Sequence, residues 1–165
     1  MFDSASSRFY HSSMNEISTQ TLPACDAYAL IQALLHAGKH VEMQLDAALA
    51  PTGLSAAKWN ALRHLMTADG QLQLGQLAAK LACVKSNATQ LVDRLEAEGL
   101  VCRLPDPADR RRTRAEITDA GRQAFVQGQE VVVAFEQTLL ESFAPDEQFA
   151  LHRLLTRLSA VNDER

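Results

Sequence analysis

The chain has 165 residues, 47% hydrophobic and 22% charged, with a formal net charge of −4, enough apolar material for one packed domain with helical extensions. No apolar run approaches bilayer length and the Ser-rich start lacks a secretory leader's apolar segment, so a cytoplasmic protein with no membrane partner is expected. Cys25, Cys83 and Cys102 form no CxxC pair, which argues against a disulfide framework or structural zinc; no cofactor is expected.

Residues 1–22 read as a flexible arm ended by Pro23, with Phe2, Phe9 and Tyr10 as its docking side chains. From 24 to 50, Leu30, Leu34, Val41, Leu45 and Leu49 recur at spacings of four or seven, widened by Ile31 and Leu35, and predict a long amphipathic helix stopped by Pro51-Thr52-Gly53. Ser55 reads as the N-cap of a second helix whose face is Trp59, Leu62, Leu65 and Met66, ending at Asp69-Gly70. Gln71-Leu72-Gln73-Leu74 alternates as a short strand able to pair with a later hairpin. A third helix over about 75–82 buries Leu77, Ala78 and Leu81, and a fourth over about 85–98 buries Ala88, Leu91, Val92 and Leu95 before Gly99. Two short helices joined by a tight turn are the outline of a helix-turn-helix.

Next comes Gly99-Leu100-Val101-Cys102-Arg103-Leu104, a turn-forming stretch from Asp106 to Arg114, and Ala115-Glu116-Ile117-Thr118, which together read as a β-hairpin. Four arginines, Arg110, Arg111, Arg112 and Arg114, are expected to project from its tip, with Asp109 bracing one of them and Asp106 shaping the turn. Thr118 caps a long helix to about Ser142, with Phe125, Val132, Phe135, Leu139 and Phe143 on one face. Pro145 opens a last helix striped by Leu151, Leu154, Leu155, Leu158 and Val161. The expected fold class is mainly α with a small β-wing: a winged helix-turn-helix over 54–118, and helices at 23–50 and 119–162 forming a dimerisation region.

A net negative charge opposes binding to phosphates, but its distribution matters more than its total. Residues 80–114 hold eight basic side chains against five acidic ones. The fourth helix offers Lys85, Ser86, Asn87, Thr89, Gln90 and Arg94 on its polar face: amides suited to adenine edges, hydroxyls to phosphates or bases, and Arg94 to the backbone. Solvation alone also produces a polar helix face. Adjacent arginines at a hairpin tip repel one another unless an anion meets them, and a narrowed minor groove is such a place.

Several stretches carry a resemblance: Leu77-Ala78-Ala79-Lys80-Leu81, the run from Thr89 to Val101, Asp106-Pro107-Ala108-Asp109-Arg110-Arg111, and Ile117-Thr118-Asp119-Ala120-Gly121. Over about residues 24–162 the chain resembles MarR-family winged-helix regulators. That likeness implies a homodimer on an inverted-repeat operator in double-stranded DNA, repression by promoter occlusion, and release by a small-molecule effector or an oxidant. It also implies that Asp109 orients Arg111 toward the minor groove, with Arg110 and Arg112 as added positive charge.

The family's effector crevice falls here on His36, His40, Trp59 and Arg63, with Arg122 near, and an aromatic ring beside a cation suits a phenolic or aromatic carboxylate. His36 and His40 are also spaced as two ligands on one helical face, without the further ligands a metal site needs. Peroxide-sensing relatives carry a reactive thiol near the start of the first helix, where Cys25 stands, so a thiol-based repressor is the alternative. Adjacent Asp26 raises a thiol pKa while a helix N-terminus lowers it. No phosphate loop, HExxH or GxSxG is present, and an enzyme is not expected.

Overall fold

Four helix starts in this protein are fixed by side chains that cap them. The computed structural model describes residues 26–107, 109 and 112–160, in two units divided between Lys39 and His40. Its helices are α1 (Ala27–Leu49), α2 (Ala56–Met66), α3 (Leu74–Lys80), α4 (Lys85–Ala97), α5 (Asp119–Leu140) and α6 (Pro145–Ala160), and its strands β1 (Gln71–Gln73), β2 (Val101–Pro105) and β3 (Thr113–Ile117). The Asp26 carboxylate accepts the Tyr28 amide, Ser55 accepts that of Lys58, Thr118 that of Gly121, and Glu147 that of Ala144. Each cap contributes about 1 kcal/mol. Stops are equally local: a short 3₁₀ turn over Ala50–Thr52 contains Pro51, while Gly53, Gly70 and Gly99 take positive φ after their helices.

In the first unit, Tyr28, Leu30, Ile31, Leu34 and Leu35 of α1 are all exposed. The predicted apolar stripe exists there and is exposed among the described residues.

In the second unit one core gathers Leu49, Leu54, Trp59, Leu62, Leu65, Leu77, Val92, Leu95, Val101, Ile117 and Val132. Each large side chain in it contributes roughly 1.5–3 kcal/mol by leaving water. The sheet order is β1-β3-β2, antiparallel throughout, with Leu72 opposite Ala115 and Cys102 opposite Glu116. The short strand expected at 71–74 does pair with the hairpin.

The large side chains expected on one face of α5 are only partly buried. Its inward side is Gly121, Gly128 and Val132. Phe125 packs at the core's edge, stacked on Trp59 with centroids 5.9 Å apart, Phe135 and Leu139 are half-buried, and Phe143 is exposed. Close approach of the helix backbone, rather than a row of large side chains, seats α5. On α6, Phe149, Leu151, Leu154, Leu155 and Leu158 are exposed. No helix among the described residues is long and apolar enough to cross a membrane.

Candidate nucleic-acid interface

Ala88, Val92 and Leu95 are buried in the core side of α4, so the opposite side of that helix must face outward. Lys85, Ser86, Asn87, Gln90 and Arg94 are exposed, as their positions predict. Thr89 is half-buried: its hydroxyl donates to the Lys85 carbonyl at 2.9 Å, and its own carbonyl accepts from Arg103 Nη2 at 3.1 Å. The polar face is divided. Asn87, Gln90 and Arg94 line an 840 Å³ cleft together with Trp59, Asn60 and Arg63 of α2. Lys85 instead lines a 440 Å³ recess with Gln73, Leu74, Gly75, Arg112 and Thr113. The start of α4 and the root of the wing therefore share one cationic recess.

The wing root is organised around a buried carboxylate. Asp106 is 0% exposed. Its Oδ2 lies 3.1 Å from Arg114 Nε and accepts from Gln73 Nε2, while its Oδ1 accepts from Arg114 Nη2 at 3.4 Å. The Asp106 amide donates to the Arg112 carbonyl, and the Arg112 amide to that of Asp109, which closes the loop. Arg114 therefore does not project from the tip as its place in the arginine run suggests. It belongs to β3, opposite Gln73 and Leu104, and lies back on Asp106 with its side chain 27% exposed.

Arg112 remains outward, its Nε 3.4 Å from the Asp109 carboxylate and its Nη1 3.5 Å from Gln73 Oε1. The Gln73 side chain thus donates to Asp106 and accepts from Arg112, linking the buried group to an exposed guanidinium. Arg110 and Arg111 lie outside the described residues. Arg103, counted among the local positive charges, pairs with Asp93 and Glu96 and ties β2 to α4. Sequence reasoning missed both Gln73 and Arg103; their roles depend on which strands become neighbours.

Of the residues read as an effector site, Trp59 and Arg63 come together. The Arg63 guanidinium stands 5.8 Å from the Trp59 ring centroid and donates twice to Asn60 Oδ1, at 3.2 and 3.0 Å. Trp59 is buried, and its Nε1 has no hydrogen-bond acceptor among the described residues. His40 pairs with Gln44 and is not among the cleft's lining residues. His36 is exposed in the first unit. Arg122 turns to Met66 Sδ. His64 has its pKa lowered by burial, reinforced by the charges of Arg63 and Lys80. Cys25 lies outside the described residues, while Cys83 and Cys102 are half-buried free thiols.

Residues 52–112, from the end of the 3₁₀ turn to the loop before β3, match the model of the MarR family. Over that segment the chain is similar to MarR-family regulators. Among curated relatives, the uncharacterized HTH-type transcriptional regulator YkoM of Bacillus subtilis is 30% identical over 97 residues, 59% of this chain and 63% of that protein. The HTH-type transcriptional regulator FarR of Neisseria gonorrhoeae is 26% identical over 131 residues, 79% of this chain and 88% of FarR. The match spans less than two thirds of the length of YkoM and of a second B. subtilis relative, YsmB, at 63% and 61%. Among solved structures, a mutant MarR from E. coli complexed with operator DNA superposes with a TM-score of 0.74 at 26% identity, over 79% of this chain and 94% of that one.

Proposed function

We propose that the protein is a homodimeric, sequence-specific DNA-binding transcriptional regulator that represses by occluding a promoter. In this reading α4 enters the major groove of each half of an inverted repeat and the wing reaches the adjacent minor groove. The observation that carries it is the recess shared by Lys85 of α4 and Arg112 of the wing, which sets cations from both elements along one path for a phosphate backbone. The relatives' description as transcriptional regulators and the operator complex of the E. coli protein support the same reading. The exposed apolar faces of α1 and of α6 each suit burial against a second copy. Binding to random-sequence duplex as a function of salt tests the reading: affinity is expected to fall steeply as salt rises, and a flat response would remove it.

The cleft under α4 is the proposed effector site. Arg63 offers a cation and the Trp59 indole an aromatic wall, a set that suits an aromatic carboxylate or phenolate. Because Asn87, Gln90 and Arg94 line the same cleft, a bound anion would shift the balance between forms that fit the DNA and forms that do not. Trp59 is the sole tryptophan, so its emission reports the site directly. Titration with a benzoate-type acid is expected to change that emission and release DNA, with Arg63→Ala weakening binding about ten-fold. Unchanged emission at millimolar acid would contradict the assignment.

A further inference from the structure

We propose that Val84 reads the 5-methyl group of a thymine in the major groove; this deepens, and rests on, the DNA-binding reading above. Val84 is the N-cap of α4, with φ −68 and ψ 149, and its carbonyl accepts the Asn87 and Ala88 amides at 3.0 and 3.3 Å. Its side chain has no acceptor to offer the first turn, where Ser55 and Thr118 cap α2 and α5 through their hydroxyls. Nor does the isopropyl group pack: it is 64% exposed. The side chain contributes neither to the helix start nor to the core.

A single exposed valine elsewhere on a surface needs no explanation. At this position it displaces a cap from the end of the helix that reads bases, and departures from local sequence rules concentrate at functional sites. The preceding turn fixes where the side chain points. Ala82 takes a left-handed φ of 48°, uncommon for a residue with a Cβ, and the Cys83 amide is held by the Ala78 carbonyl at 3.1 Å. Next in sequence, Lys85 shares its recess with Arg112, which places a phosphate anchor immediately beside Val84. Among the base edges in the major groove, the thymine methyl is the apolar one, and a branched aliphatic side chain meets it without stranding a donor or acceptor. Cytosine presents an amino donor, which a valine leaves unpaired.

The test uses the full chain and a duplex that it selects from a randomised pool. Each thymine of the selected site is then replaced, one at a time, by deoxyuridine, which removes only the methyl group. The wild-type protein is expected to select a thymine in each half-site and to lose about four-fold in affinity when that methyl is removed. Val84→Ser should bind the thymine and uracil duplexes equally, with a melting temperature at or above the wild type because serine caps the helix. Val84→Thr, which keeps one methyl, should retain part of the difference. A wild-type protein indifferent to every deoxyuridine substitution overturns the inference, as does a Val84→Ser variant that keeps the full loss, since another residue would then be reading the methyl. Failure of the wild type to select any duplex would instead bring down the DNA-binding reading, and this inference with it.

Discussion

Replacing Gly121 with alanine is expected to cost about 3 kcal/mol or more of folding stability and to lower the melting temperature by about 10 °C. A Cβ at this position would overlap the Leu100 carbonyl oxygen and stand 2.8 Å from Ile117 Cγ1. That oxygen is fixed, because it accepts the Thr118 amide at 3.1 Å, while the Thr118 hydroxyl donates to the Gly99 carbonyl at 2.7 Å and accepts the Gly121 amide at 3.0 Å. The end of α4 and the start of α5 are stitched together at this point, and Gly99 turns the chain into β2 with a φ of 72°. Relief of the overlap has to break that stitching. Gly128 is the internal comparison, since its closest neighbours, Trp59 Cδ1 at 2.6 Å and Leu54 Cδ1 at 3.0 Å, belong to side chains rather than to the backbone. Gly128→Ala should therefore cost less, about 1–2 kcal/mol. Urea unfolding followed by far-UV circular dichroism measures both, and equal costs at the two positions would refute the explanation.

The second large effect is expected from Arg114→Ala, about 3 kcal/mol, because it removes an ion-pair partner from a fully buried carboxylate. The figure sits at the low end for a buried pair, since the Arg114 side chain keeps partial access to water and Gln73 still donates to Asp106. Asp106→Asn in the Arg114→Ala background should recover part of the loss by removing a buried charge that Arg114 no longer offsets. Unfolding free energies of the two single variants and the double variant decide the matter: additive losses, or a loss under about 1 kcal/mol for Arg114→Ala, would show the pair to be unimportant.

The contrast between Arg112 and Arg114 marks how far the sequence could be read. Caps at Ser55 and Thr118, the stop at Gly99, the α3–α4 pair and the pairing of residues 71–73 with the hairpin were legible, because capping chemistry and apolar period are local properties. The fate of four arginines in one tract is not local. Ala115 and Ile117 point into the core, so Arg114 must sit on the other face of β3, and what it meets there depends on β1 bringing Gln71 and Gln73 alongside. Burial of Asp106 has no signature in its own sequence neighbourhood either.

Glycines carry the part of α5's packing that apolar spacing does not show. Sequence periodicity follows large apolar side chains, whereas Gly121 and Gly128 are placed by what a Cβ would strike. The apolar stripe of α1 shows the opposite limit: Leu45 and Leu49 join the core, while Leu30, Ile31, Leu34 and Leu35 stay exposed. A period reveals an apolar face without revealing what covers it.

The proposed grip on DNA is tested most directly by the salt dependence of duplex binding in the wild type and in a Lys85→Ala, Arg112→Ala double variant. The account predicts a steep negative slope of log affinity against log salt in the wild type, made shallower by about two per protomer in the variant, with unfolding free energy little changed. Identical slopes for the two proteins would contradict it.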